Sequence, residues 1–419
     1  MKSSKSEAQP LKICLLTYRG NPNCGGQGVY IKHLSKALSD LGHEVDVLSG
    51  PPYPHLDLKV RLHKIPSLDL YRQPFQSPKV KSLVNPLNMY EFLIMRSGRF
   101  PEPYTFGIRA YNYLQKHKKK FDIVHDNQCL SYGLCKIAQK IVPTIATIHH
   151  PMTVDRREEL NSTTSENKII GIKRWYSFIR MQKEVARQLS HIVTVSECSK
   201  KDIAREFSIN LSKFRVVPNG INREFFYPVH NESRPENSII VTNSADTPLK
   251  GLRYLLEAVS QVRKKQPVQL TVIGEPGKNG TVKRLVEELG IGNIVHFTGR
   301  IKNEEFADYY SKSTIAVVPS LYEGFGLPAA EAMASGVPLI STSGGALPEV
   351  VGDAGILVPP ADSAAMAREI IFLLNNPDRR KKMAQAGIKR VDAIFNWSKA
   401  AGDMVDVYKE AIDSYQVDQ

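Results

Sequence analysis

Three observations predict an α/β chain of two Rossmann-like domains. Short apolar strands alternate with amphipathic helices in two successive runs, proline and Asn-Gly interrupt them near residue 220, and 419 residues exceed what one core usually organises. In the first run, residues 11–17 (LKICLLT) read as a buried strand and residues 21–28 as a glycine turn. The helix that follows carries Val29, Ile31, Leu34, Ala37, Leu38 and Leu41 as its apolar set and stops at Gly42, before a strand over 44–48. Strands over 121–125, 144–148 and 191–195 extend the pattern.

Residues 216–222 read as a linker, because Pro218 and Asn219-Gly220 halt regular structure ahead of a polar stretch. The second run has strands over 239–242, 269–273, 294–297, 315–318 and 339–340. Its helices are expected over 251–264, 281–289, 303–312, 328–335 and 363–375. The expected division is a disordered tail over 1–10, a first domain over 11–215 joined by the last helix, 397–419, and a second domain over 223–396. No fixed-period repeat is present.

Hydrophobic residues at 42% and charged residues at 23% fit a globular protein. The opening MKSSKSEAQP has no apolar core of a signal peptide, and no apolar run reaches membrane-spanning length, so a cytoplasmic location is expected. Five scattered cysteines, an odd number without a CxxC pair, read as reduced thiols. The net charge of +14 is uneven: residues 1–225 hold 35 Lys and Arg against 19 Asp and Glu, so the remainder is slightly acidic. Such a basic half suits an anionic membrane surface or a phosphorylated acceptor, and equally a solvated basic face. Nucleic acid is not expected, since no helix-turn-helix, zinc finger or RNP motif accompanies the charge.

The most informative stretch is Glu323-Gly-Phe-Gly-Leu-Pro-Ala-Ala-Glu331. A buried strand ends at Pro319, Gly324 and Gly326 loosen the turn, and Pro328 suits the first helical position. A helix start offers unpaired N–H groups and a positive dipole end to an anion such as diphosphate. Two carboxylates beside it suit the hydroxyls of a ribose and a sugar; the alternative is an ordinary acidic helix start. Glu-x7-Glu enclosing Gly-Phe-Gly-Leu-Pro resembles the signature of glycosyltransferase family 4, the group 1 retaining glycosyltransferases of GT-B fold. That resemblance implies two Rossmann-like domains facing a cleft, with the C-terminal helix crossing back to the first domain.

The same resemblance implies roles at further positions. Gly26 and Gln27, in a glycine turn after the first strand, match the loop that meets the donor diphosphate; a dinucleotide fingerprint is absent, because the third glycine and the acidic end of strand two are missing. His149, at a strand end in Thr147-Ile-His-His-Pro151, matches the histidine that contacts the donor sugar. Alone, a strand-end histidine pair is more often structural. Lys250 matches a diphosphate lysine, but the arginine expected five residues earlier is Ala245, leaving Arg19, Arg253 and Arg300 as candidate replacements. Arg300 and Ile301, after Gly299, resemble the base-binding turn, and Ser343-Gly344-Gly345 with Glu349 a further turn near the donor.

The implied reaction moves a hexose-type sugar from a nucleotide diphosphate sugar, UDP favoured with GDP or ADP as alternatives, to a lipid-linked, glycan or small-molecule hydroxyl with retention. Glu323, His149 and Lys250 are the expected catalytic residues. Gly324, Phe325, Gly326, Leu327 and Glu331 join Gly26, Gln27, Arg300 and Ile301 in donor binding. No cofactor and no metal are expected. The acceptor stays open: aromatic and basic residues over 71–75, 88–95, 99–104 and 173–189 make either an acceptor or membrane surface, or a helical insert packed on the first domain. A nucleotide-sugar epimerase and a non-catalytic binding homologue are the competing classes, the latter favoured by Ala245.

Overall fold

The computed structural model describes residues 9–21, 26–72, 77–117, 120–229, 235–242, 248–276 and 280–417. Among these, thirteen strands form two all-parallel sheets. Those of the first are β1 (Lys12–Thr17), β2 (Glu44–Ser49), β3 (Arg61–Lys64), β4 (Ile123–Asn127), β5 (Thr144–Thr147), β6 (Ile192–Thr194) and β7 (Phe214–Val216), in the order β3-β2-β1-β4-β5-β6-β7. The central strands β4, β5 and β6 are buried along their whole length, as parallel strands covered on both faces require.

The second sheet holds β8 (Ser238–Thr242), β9 (Gln269–Ile273), β10 (Val295–Phe297), β11 (Ile315–Val318), β12 (Leu339–Thr342) and β13 (Ile356–Val358), in the order β10-β9-β8-β11-β12-β13. Each sheet therefore reverses direction once, between β1 and β4 in the first and between β8 and β11 in the second. In open α/β sheets, ligands bind outside the carboxyl ends of the strands at such a reversal.

The chain divides into two compact units. One comprises Met1–Thr194, Lys200–Val217 and Ala400–Gln419; the other comprises Val195–Ser199 and Pro218–Lys399. The last helix, Trp397–Val417, thus lends most of its length to the first unit, where Met404 and Tyr408 are fully buried. The short piece Val195–Ser199 goes to the second unit, a division invisible in the sequence because it falls at the start of helix Glu197–Phe207.

Ten strands fall where sequence periodicity puts them, to within two residues. The other three are β3, β7 and β13. β3 is an edge strand with no buried residue, and β7 extends into the stretch read as linker. The aromatic and basic stretch over 173–189 spans parts of two helices, Glu166–Trp175 and Ile179–Gln188, joined by a turn over Tyr176–Phe178. There Phe100 stacks on Trp175 with ring centroids 5.1 Å apart, and Leu70, Met95 and Phe100 form a small buried cluster. Part of the insert is therefore a satellite core. Residues 1–8 of the expected tail lie outside the described residues, as does Ala245.

Candidate active site

In the first unit, β1 ends at the switch point and the chain enters helix Gly26–Asp40. Gly26 is exposed, and a Cβ there would meet nothing within 4 Å. Gly28, by contrast, is pressed so closely on the Asn21 carbonyl that a Cβ would sit 1.9 Å from its oxygen. The fold needs glycine at 28; at Gly26 it leaves open space where an incoming group can approach the backbone.

His149 follows β5, and the residue is held at its ring and at its backbone. Asn127, last residue of β4, places Oδ1 2.7 Å from His149 Nε2 and donates from Nδ2 to the Gln27 carbonyl at 3.1 Å. A carbonyl only accepts, so the Asn127 amide has one workable orientation, and Nε2 of His149 must carry the proton. The His149 backbone N–H donates to Gln128 Oε1 at 2.7 Å, and the ring meets Tyr30 edge-on, with centroids 4.7 Å apart. Burial, with His150 beside it, pushes His149 down to about 3, so the imidazole is neutral at physiological pH. Gly26, Gln27 and His149 are thus drawn to one end of one sheet. His150 turns to Asp155 at 2.7 Å.

In the second unit, the turn Pro248–Lys250 after β8 is tied to the loop after β11 by the Leu321 N–H, which donates to the Leu249 carbonyl at 2.7 Å. Glu323 then accepts at Oε1 from Lys250 Nζ at 2.7 Å and from Ser320 Oγ at 2.8 Å. The loop is braced from behind by Gly345, whose φ is +63° and whose added Cβ would lie 2.3 Å from the Glu323 carbonyl oxygen. That carbonyl accepts the Ala346 N–H at 2.8 Å. Only glycine combines this backbone conformation with so close an approach.

Helix Leu327–Ala334 begins with Gly326 as its cap, so Pro328 occupies the second helical position rather than the first. Glu331 lies one turn inside. Burial pushes its carboxyl up to about 7, an effect Lys250 opposes and Glu323 reinforces. Tyr310, itself bonded to Thr242 at 3.2 Å, feels the Glu331 carboxylate. Lys250, Glu323 and Glu331 are therefore one electrostatic group around a helix N-terminus at the β8/β11 reversal.

Other expected positions divide. Gly324 offers its carbonyl to Ser196 and Ser199 at 2.7 and 2.9 Å, and Phe325 packs into the core against Phe395, centroids 5.4 Å apart, so their side of the turn is structural. Leu327 and Ile301 rest partly buried on the same core. Arg300 is exposed after Gly299, at the end of edge strand β10. Glu349 spends its carboxylate on the N–H groups of Glu197 and Cys198, at 2.8 and 2.6 Å, capping the helix there. Of the candidate cations, Arg253 pairs with Glu257 at 2.9 Å, and Arg19 lies over the Tyr71 ring at 3.9 Å and 3.8 Å from Glu102. Arg300 has no such partner among the described residues. Sequence reading missed Asn127, Tyr30 and Ser320, whose roles arise only when distant segments meet. Among the described residues, no group of three or more His, Cys, Asp or Glu is placed to hold a metal ion, and no helix is long and apolar enough to cross a membrane.

Comparison with known proteins agrees with the fold. The model of Glycosyltransferase Family 4 matches residues 24–225, and that of Glycosyl transferases group 1 matches residues 225–390. The chain is 44% identical to the MMP alpha-(1->4)-mannosyltransferase of Mycolicibacterium hassiacum over 408 residues, 96% of this chain and 98% of the relative. Sucrose-phosphate synthase from Thermosynechococcus elongatus superposes with a TM-score of 0.75 at 24% identity, covering 97% of this chain and 100% of that one. Anabaena Alr3699/HepE, solved with UDP and glucose, gives 0.66 at 16% identity over 94% and 98%.

Proposed function

The chain belongs to the group 1, family 4 glycosyltransferases of GT-B fold, and from that premise we propose that it moves a hexose-type sugar from a nucleotide diphosphate sugar to a hydroxyl acceptor with retention at the anomeric carbon. The observation that carries this is the grouping of Lys250, Glu323 and Glu331 about one helix N-terminus at a sheet reversal. A diphosphate leaving group gains negative charge as its bond to the sugar breaks. Lys250 and the helix N-terminus oppose that charge, without calling on a metal.

Glu323 accepts hydrogen bonds from sugar hydroxyls and favours positive charge at the anomeric carbon; Glu331 holds the ribose hydroxyls. His149, neutral and with its tautomer set, contacts the sugar as a dipole rather than as a cation. The departing phosphate oxygen takes the acceptor proton, so no protein nucleophile is needed. Mannose is the first sugar to test, because the 44% identical relative is a mannosyltransferase. A thermal-shift screen of UDP-, GDP- and ADP-sugars, followed by product analysis, tests the reading: one class should raise the melting temperature and give an α-linked product. Inverted product, or no stabilisation by any of them, overturns it.

Peripheral contact with an anionic membrane is proposed for the segment around helices Val80–Leu83 and Pro86–Arg96. There Val80, Val84 and Leu93 are exposed beside Lys79, Lys81 and Arg96. Co-sedimentation with anionic but not neutral vesicles is expected, and equal recovery in both supernatants would remove the idea.

A further inference from the structure

Behind His149 runs a line of polar groups that the reaction does not touch. Tyr408, on the last helix, is fully buried, and its Oη lies 2.8 Å from His125 Nδ1. His125 Nε2 lies 2.7 Å from Thr147 Oγ1, and that oxygen 3.1 Å from Tyr30 Oη. Tyr30 presents its ring edge-on to His149. The four residues are at most 6% exposed.

As far as Thr147 the line has a definite sense. A buried phenol whose hydrogen-bond partner is an imidazole nitrogen keeps its strong donor satisfied only by donating to it. With Tyr408 donating, Nδ1 of His125 is the lone-pair nitrogen and Nε2 carries the proton toward Thr147. Thr147 Oγ1 accepts that proton and lies within hydrogen-bond reach of Tyr30 Oη. Desolvation holds His125 down to about 3, so no second proton scrambles this order. The sheet fixes the rest: His125 and Asn127 are two apart on β4, on one face, and Asn127 is opposite Thr147 in the β4/β5 register. The ring of His149 is thus clamped between Asn127 and Tyr30, and both anchors trace back to the same pair of strands.

We propose that Tyr408 is a positioning residue for His149, acting through His125, Thr147 and Tyr30 to fix the imidazole against the donor sugar; this rests on His149 having the role given above. No group in the line is charged and none exchanges a proton with substrate. Its contribution is orientation, which matters because displacement of a reacting contact by an ångström costs large factors in rate.

The test uses the full-length Tyr408→Phe and Thr147→Val proteins, with Tyr30→Phe, which keeps the ring, as the variant to read if Tyr408→Phe does not fold. Nitrogen-15 spectra of the histidines should show protonated Nε2 for His125 and His149 in the wild type, with both resonance sets shifted in the variants. The turnover number should drop about tenfold while affinity for the free nucleoside diphosphate, whose proposed main contacts are Lys250 and Glu331, stays within about twofold. Unshifted His149 resonances and an unchanged turnover number, with only a lower melting temperature, would overturn the proposal. His149→Ala separates the two claims: full transfer by that variant removes the assigned role of His149, while the spectra still decide whether Tyr408 positions its ring.

Discussion

Two ends of two parallel sheets are built by opposite means. At the β1/β4 reversal, His149 is held by uncharged partners, Asn127, Gln128 and Tyr30, in a setting so desolvated that the imidazole stays neutral. At the β8/β11 reversal, Lys250, Glu323 and Glu331 hold one another by charge, and the Lys250 and Glu323 side chains are 30% and 11% exposed. The first arrangement is held by uncharged bonds within its own unit. Among the described residues, the second sets two carboxylates beside the Lys250 ammonium, and burial disfavours the ionised form of one of them, Glu331.

If the second region works by charge, removing its cation should do the most damage. Lys250→Ala is expected to lower the turnover number by about 10²- to 10³-fold, the range seen when one stabilising group is removed from a developing anion; a loss of less than about threefold would erase the contrast between the regions. Next comes Glu331→Ala, expected to weaken nucleotide diphosphate binding by about 10- to 100-fold on titration calorimetry, the cost of leaving hydroxyls unpaired. Unchanged affinity would reassign that carboxylate.

Gly345→Ala probes the brace beneath Glu323. A Cβ 2.3 Å from a carbonyl oxygen at positive φ should cost about 1–3 kcal/mol, read as a lower melting temperature and slower transfer together. The pH dependence of stability sharpens the comparison further. With its folded value raised to about 7 from the ordinary 4.5, Glu331 keeps its proton longer in the folded state than in the unfolded one. Its presence is therefore least costly below about pH 4.5, and stability falls as pH rises through 7. Glu331→Gln should remove that fall, opening a gap of about 1–3 kcal/mol in favour of the variant between pH 5 and pH 8 in denaturant titrations. Glu102 and Asp126, both raised to about 7 by burial in the other unit, titrate in the same range, so the difference between the two proteins is the quantity to follow. The smallest effect is expected at Gly26→Ala: stability within about 0.5 kcal/mol of wild type, because the space there is open, with donor affinity reduced severalfold.

The alternation of strands and helices was legible because parallel strands buried on both faces are written as short apolar runs, and β8, β9 and β11 stand where those runs stand. β3 was not legible, since an edge strand reading Arg-Leu-His-Lys has no buried residue to betray it. Glu323 and Glu331 could be read because turn, helix start and both carboxylates fall within nine residues. Asn127 and Tyr408 could not: their contacts join positions 22 and 283 residues apart, and nothing local distinguishes them from other residues of a strand or a helix. Phe325 shows the converse, a motif residue whose side chain serves the core.

The line from Tyr408 to Tyr30 contains no net charge, whereas the Lys250–Glu323 pair is partly open to solvent. At physiological ionic strength the screening length is about 8 Å and shortens as salt is added. Raising potassium chloride should therefore loosen the grip of the second unit on a diphosphate while leaving the imidazole of the first where it is. On the proposed roles, salt becomes a means of separating capture of the donor from alignment of its sugar in the unmodified enzyme.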